Sequence, residues 1–393
     1  MKRERLFPPP DRLLLGPGPS MVHPRVLQAM ATPLVGHLDP AFLSIMEENK
    51  RLLRWLFRTT NEFTIPISGT GSAGMEAALA NLLEEGDEAV VCVNGLFGQR
   101  MAEVARRCRA AVREVEAPWG RIVDAEDVRR TLHACRKPKV VAAVHAETST
   151  GILQPVEEIA HLAREFDALL VLDTVTSLGG HPVEIDRWQV DAAYAGTQKC
   201  LSAPPGLAPF TLSPRALAAI HARRSPVQSW YLDVSLLTKY WGSERVYHHT
   251  APISMNFALL EALRLIEEEG LERRWRRHEK HHRALVAGLQ ALGLELAAQE
   301  GHRLWTLNSV AVPEGVDEAQ FRRALLDEFG IEIGAGLGPL KGRTWRIGLM
   351  GESSTASNVL RVLSAFEQLL PRCGKAVPQA AGVAAAARVL EAD

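Results

Sequence analysis

With 393 residues, 47% of them hydrophobic and 23% charged, the chain is long enough for two or three domains and has the balance of an ordinary soluble globular protein. A formal net charge of −1 offers nothing in bulk to nucleic acid or to an anionic membrane. The charged start, Met1 to Arg5, has no apolar stretch behind it, and no 18-residue apolar run occurs, so we expect a cytoplasmic protein without signal peptide or membrane span. Five cysteines, an odd number with no CxxC pair, fit free thiols in a reducing compartment, with Cys92 packed in an apolar run.

Residues 1–12, charged and then Pro-rich, read as an N-terminal arm lying across a neighbour or loosely ordered. Leu13-Leu14-Leu15 then runs into Gly16-Pro17-Gly18-Pro19-Ser20, extended chain ending in rigid turns and ill-suited to a central strand, since proline donates no ladder bond. A helical pattern covers about 41–57. Residues 63–67 read as a short strand in which Pro66 favours a sheet edge. Ser68-Gly69-Thr70-Gly71-Ser72-Ala73-Gly74 follows and opens a helix pattern over 75–83. Small residues let backbone close on an anion, and a helix start supplies free N–H groups and a favourable dipole, so this is read as a phosphate cradle. Gly69, Gly71 and Gly74 also satisfy GxGxxG. A dinucleotide fold, however, wants an acid at the end of the next strand, and that strand, 89–93, ends in Asn94-Gly95.

Regular alternation follows: helix 99–109, strand 111–115, a helix capped by Asp124 to about 135, strand 140–144, and a helix from Pro155 to about 166. Two apolar runs, 168–172 and 192–195, break off at Asp173 and at Gly196-Thr197-Gln198-Lys199, and read as strands buried on both faces. Strand 210–212 precedes a long irregular region, 225–250, rich in Trp and Tyr. Helices dominate 253–292, with a break near Gly270. A smaller unit then shows strand 309–312, helix 318–329, a Gly-rich turn at 334–338, strand 344–348 and helix 357–370. The expectation is an α/β protein. A large domain, 13–270, carries a mostly parallel sheet flanked by helices; a smaller C-terminal α/β domain spans 271–373; and an Ala-rich tail, 374–393, is left open between helix and disorder.

Ligands of open α/β sheets sit beyond the carboxyl ends of the strands. Asp173 and Lys199 are both delivered there. An amine can form a Schiff base with an aldehyde and a carboxylate can hold a protonated ring nitrogen, the two protein groups that pyridoxal phosphate (PLP) most needs. Gly-Pro-Gly-Pro at 16–19, SGTGSAGMEAAL at 68–79, NGLFGQR at 94–100, ETSTGILQP at 147–155, LDTVTSLGG at 172–180, GTQKCLSAPPG at 196–206, YHHT at 247–250 and RIGLMG at 346–351 occur in one order. Together they resemble the class V aminotransferases of PLP fold type I, near the alanine–glyoxylate and serine–pyruvate or serine–glyoxylate enzymes.

That resemblance implies that Lys199 carries the cofactor and later moves a proton on the substrate, and that Asp173 bonds the ring nitrogen. It further implies phosphate binding by Thr70, Gly71, Ser72 and Gln198, ring contacts from Phe97 and Val175, and a bond from Thr148 to the phenolic oxygen. Tyr247 and Thr250 would reach the phosphate from a partner subunit, making a homodimer with shared active sites. Gly18 and Arg346 would bind substrate, the latter by a two-pronged grip on a carboxylate. Relatives often carry Trp at 97, Ser at 148 and His at 72, so this chain departs there. The implied reaction is ping-pong transfer of an amino group from alanine or serine to glyoxylate or pyruvate.

Rival readings are weaker on the residues. Within the family, 2-aminoethylphosphonate or ureidoglycine transaminases are alternatives. A cysteine desulfurase or lyase needs a mobile Cys between Lys199 and Arg346, where only Cys200 stands. His278-Glu279-Lys280-His281-His282 satisfies HExxH, but Arg273, Arg274, Arg276, Arg277 and Arg283 crowd the same helix, repel a metal cation and read as a solvated charge run. No metal is expected.

Overall fold

The protein is described by a computed structural model over residues 8–392. Its main sheet has seven strands: β1 (Phe63–Ser68), β2 (Glu88–Val93), β3 (Ala111–Glu116), β4 (Pro138–Val144), β5 (Leu169–Asp173), β6 (Ala192–Tyr194) and β7 (Leu207–Leu212). They lie in the order β1-β7-β6-β5-β4-β2-β3, and every neighbouring pair is parallel except those made by β7. Strands β4, β5 and β6 are apolar nearly throughout because helices cover both faces, as a parallel sheet requires. Pro66 does sit on an edge strand. It faces Pro209, whose carbonyl bonds the Ala195 N–H on the far side, so neither proline interrupts a ladder bond between β1 and β7.

The second sheet is antiparallel, with β8 (Leu307–Ala311), β9 (Gly334–Ala335) and β10 (Thr344–Gly348) in the order β8-β10-β9. Its core, with Trp345, Phe321 and Phe366 fully buried, is separate from the two apolar layers flanking the main sheet. The helix Leu271–Ala291 belongs to both units: Leu271 and Trp275 pack in the main body, Leu285 and Leu289 in the smaller one. Gly270, at φ 80, supplies the break between this helix and Ile253–Glu269.

Several expectations need correction. Residues 225–250 are not irregular throughout: Asp233 accepts a bond from the Ser235 N–H and caps a helix, Val234–Trp241. The tail, open between helix and disorder on its composition, contains the helix Ala381–Glu391, with Ala386 buried in the smaller core. Of the arm, residues 1–7 lie outside the described residues, while Arg12 donates to the Leu326 carbonyl at 2.7 Å. Leu13–Leu14 forms a short parallel strand with Ile331–Glu332, and Leu13 and Leu15 are buried in the smaller core, although we assigned residue 13 onward to the large domain.

The arginine-rich run is a solvated face only in part: Arg273, Arg276 and Arg283 are exposed, whereas Arg274 and Arg277 turn inward. Arg274 is buried, donating to the Gly179 and Cys200 carbonyls and pairing with Glu269. Both nitrogens of His278 are engaged, Nδ1 with the Arg274 carbonyl and Nε2 as acceptor from the Gly351 N–H. Its lone pair is therefore taken, a stronger argument against zinc ligation than charge repulsion.

Candidate active site

Asp173 ends β5 and Tyr194 ends β6, directly in register. The Asp173 carboxylate is buried; Oδ1 accepts from the Val175 N–H at 2.8 Å and Oδ2 from the Tyr194 hydroxyl at 2.9 Å. Burial pushes the acid up to about 7, the two donors pull the other way, and neighbouring Glu147 adds to the rise.

Lys199 follows two turns of chain beyond β6 and points at the same space. Its Nζ donates to the Pro17 carbonyl, and burial, with the Arg346 charge nearby, draws the amine down to about 8. Gly18 is required here. At φ 112, with an added Cβ only 2.7 Å from Lys199 Nζ, the position admits no side chain. Ser20 lies over the lysine turn, its N–H on the Gln198 carbonyl and its hydroxyl on the Lys199 carbonyl, while Arg274 holds the Cys200 carbonyl from the other side. Cys200 itself donates to the Thr176 carbonyl, and burial pushes its thiol up to about 12. It is a packed thiol with no thiolate character at neutral pH, which removes the sulfur-carrier reading.

The helix Gly71–Leu82 starts at the carboxyl edge of the sheet. Thr70 takes the capping position without spending its hydroxyl on a capping bond, and Thr70 and Ser72 face outward. The helix seats tightly on the strand ends: a Cβ at Gly71 would lie 2.9 Å from Val175 Cγ2, and one at Gly74 2.8 Å from Tyr194 Cβ. Glu147, fully buried, accepts from the Phe97 N–H at 3.0 Å, the Gly98 N–H at 3.4 Å, and the Ser149 N–H and hydroxyl. It thus caps the helix Leu96–Arg107 and fixes Phe97, over whose ring the Arg100 guanidinium sits 5.0 Å from the centroid.

These groups enclose a cavity of about 150 Å³. Thr70, Gly71, Ser72, Phe97, Thr148, Asp173, Val175, Gln198 and Lys199 all line it, together with Met75, Arg100 and Thr176, which the sequence reading did not single out. Arg346 stands behind Thr148 rather than in the wall. It donates Nε to the Ala335 carbonyl at 2.6 Å and Nη1 to the Thr148 carbonyl at 3.2 Å, and makes no ion pair among the described residues. Tyr247 and Thr250 are not part of the cavity; both are exposed, and the Tyr247 ring lies 5.3 Å from that of His37. The roles of Tyr194 and Glu147 escaped the sequence reading. The only signal for Tyr194 was its position at a strand end beside Asp173.

The sequence profile of the family Aminotransferase class-V matches residues 12–349. The chain belongs to this family. As a class V aminotransferase it is similar to the (S)-ureidoglycine–glyoxylate transaminase of Bacillus subtilis, 42% identical over 97% of this chain and 96% of that one. Among solved structures, an alanine–glyoxylate aminotransferase from Nostoc sp. is 51% identical, with TM-score 0.91 over 93% of this chain and 97% of that one. The ureidoglycine–glyoxylate aminotransferase of B. subtilis has TM-score 0.96 and 44% identity over 99% of this chain and all of that one. Class V aminotransferases use PLP, and this site fits it. Besides the amine and the carboxylate, the buried Gln198 Oε1 has no hydrogen-bond partner among the described residues, and a polar ligand in the cavity would supply one.

Proposed function

We propose that this aminotransferase passes an amino group from alanine, with serine as second donor, to glyoxylate, by a ping-pong sequence. The observation that carries the reading is a small cavity holding a buried carboxylate and a depressed amine, with a buried arginine, without an ion partner among the described residues, directly behind its wall. Support for glyoxylate comes from the relatives, each named for it. PLP bound there supplies an aldehyde that takes the amino group and a ring that withdraws electrons from the substrate Cα.

With PLP in this cavity, Asp173 would hold the proton on the ring nitrogen, and Val175 and Phe97 would offer apolar contact to the ring. Thr70, Gly71, Ser72 and Gln198 hold the phosphate, and Thr148 the phenolic oxygen. Lys199 provides the attachment point and then the base: an amine drawn down to about 8 is partly neutral near physiological pH and able to take the Cα proton. Arg346 receives the substrate carboxylate beside Gly18, and the narrow space excludes bulk.

We also propose a cytoplasmic homodimer with shared sites. Leu27, Leu34, Leu38, Trp230, Tyr231, Val246 and Tyr247, the large apolar side chains left exposed among the described residues, come from two segments that meet at His37 and Tyr247. Tyr247 and Thr250 would then reach the partner's Thr70 and Ser72. The working units are taken as 13–270 and 271–373, with Leu13–Leu15 lent to the second. No helix among the described residues is long and apolar enough to cross a membrane.

A second reading, ureidoglycine as donor, is favoured by the 42% identity to the B. subtilis transaminase. Half-reactions of the PLP-loaded protein with alanine, serine and (S)-ureidoglycine, each followed by glyoxylate or pyruvate, test both. Bleaching of the cofactor absorbance by alanine and glycine formation from glyoxylate are expected. Failure of every donor to yield glycine would overturn the reading, and glycine from ureidoglycine alone would select the second.

A further inference from the structure

We infer that Tyr194 is a positioning residue for the reaction: its hydroxyl, fixed beneath the helix Gly71–Leu82, holds Asp173 Oδ2 and thereby sets how firmly that carboxylate grips a protonated ring nitrogen. The inference rests on the assignment of Asp173 to the ring nitrogen.

Asp173 and Tyr194 are paired across adjacent parallel strands, so the backbone delivers the phenol to the carboxylate with one geometry. Tyr194 is completely buried, and its hydroxyl donates to Asp173 at 2.9 Å. Its Cβ and ring are wedged against Gly74, where an added Cβ would lie 2.8 Å from Tyr194 Cβ and 3.3 Å from Cγ. The second donor to the carboxylate, the Val175 N–H, belongs to a residue wedged in the same way against Gly71. Both groups that orient Asp173 are therefore braced by the first turn of the helix whose start faces the cavity. The distance from the anion cradle to the carboxylate is set by packing, without a flexible link.

Chemically, a carboxylate that accepts two fixed donors stays ionised more readily than one that accepts a single donor. Its remaining lone pairs are then aimed into the cavity. Without the phenol, Oδ2 would be buried with no donor. The carboxyl would turn to find one or keep a proton that belongs on the ring, and either response discharges the ring and lowers its capacity to withdraw electrons. Glu147, on the hairpin that pairs Ala146–Glu147 with Ile152–Leu153, and Lys199 from the turn after β6 are the other charged groups that act on Asp173, with Arg100 acting on Tyr194, and none of them bonds the carboxylate.

The test is a double-mutant cycle on the PLP-loaded protein: wild type, Tyr194→Phe, Asp173→Asn and the pair. For a lost hydrogen bond to a charged group, Tyr194→Phe should lower kcat about tenfold with KM for the amino donor little changed, and raise the PLP dissociation constant about tenfold. In the Asp173→Asn background the amide can still meet the Tyr194 hydroxyl but holds no ring proton, so the same change should cost at most about twofold in either. Wild-type kcat and PLP affinity in Tyr194→Phe, or equal losses in both backgrounds, would overturn the inference, the latter marking mere packing. If Asp173→Asn alone leaves kcat and PLP affinity intact, the ring-nitrogen assignment fails first, a result distinct from failure of the Tyr194 step.

Discussion

Replacing Asp173 with asparagine should make the cofactor-free protein more stable while crippling the loaded one. The side chains are nearly isosteric: the amide oxygen can keep the Val175 N–H, and its nitrogen can donate to the Tyr194 hydroxyl. What disappears is a buried charge. Burial raises the acid from its ordinary 3.8 to about 7, a difference worth about 4 kcal/mol between its two protonation states. Folded Asp173 keeps its proton up to about pH 7, whereas the unfolded chain releases it near 3.8, so between those values the folded state binds more protons and stability falls as pH rises. The penalty is absent below that window and complete above it. Asp173→Asn lacks this slope, and its advantage over wild type should grow by about 2–3 kcal/mol from pH 5 to pH 8. Urea unfolding of both proteins without PLP, at one protein concentration, measures it. Turnover with PLP should meanwhile fall by about 10² or more, as when a single electrostatic contact at a reacting centre is removed. If the two apo proteins keep the same stability difference at every pH, the burial argument is wrong.

Lys199→Ala should abolish transfer while circular dichroism stays native; substantial turnover would end its assignment as the attachment and base. Mixed with an equally inactive Tyr247→Ala protein, it should regain part of the activity through one intact shared site, and no recovery after confirmed subunit exchange would count against a Tyr247 that crosses the interface. Arg346→Lys keeps the charge but loses the planar fork, so KM for both substrates should rise about tenfold or more with the fold unchanged; an unaltered KM would move the carboxylate site elsewhere. Gly18→Ala places a methyl against Lys199, and borohydride trapping of PLP on residue 199 should slow about a hundredfold, the scale for a displacement of about an ångström at a reacting centre. Normal trapping would show that the lysine has room to move.

Much of the fold could be read from the chain because strands β4, β5 and β6 are apolar runs with polar ends, a pattern that only a covered parallel sheet explains. Asp173 was legible as the first polar group beyond such a run, and Lys199 as the amine in the turn that follows the next one. Tyr194 and Glu147 were not. Their roles depend on register between strands and on a hairpin reaching a distant helix start, and neither leaves a local pattern. The Arg274 run misled because charge density says nothing about partners: the Arg274 guanidinium is buried on the Gly179 and Cys200 carbonyls, far away in sequence, as well as on nearby Glu269. The helix Val234–Trp241 was obscured by a mixture of aromatic roles: Tyr240 and Trp241 within it pack as core, while Trp230, Tyr231 and Tyr247 on either side of it stand exposed.

The stretch that begins at Leu13 has a consequence for how the molecule is made. It threads over Lys199 through Pro17, Gly18 and Ser20, yet it is anchored by Ile331–Glu332 and by Gly348, whose N–H bonds the Leu15 carbonyl. On a ribosome Leu13–Leu15 must therefore wait for their partners until residues 331–348 have emerged. The roof over the reactive amine closes last, so a nascent chain arrested before residue 331 would hold its main sheet but leave that lysine uncovered.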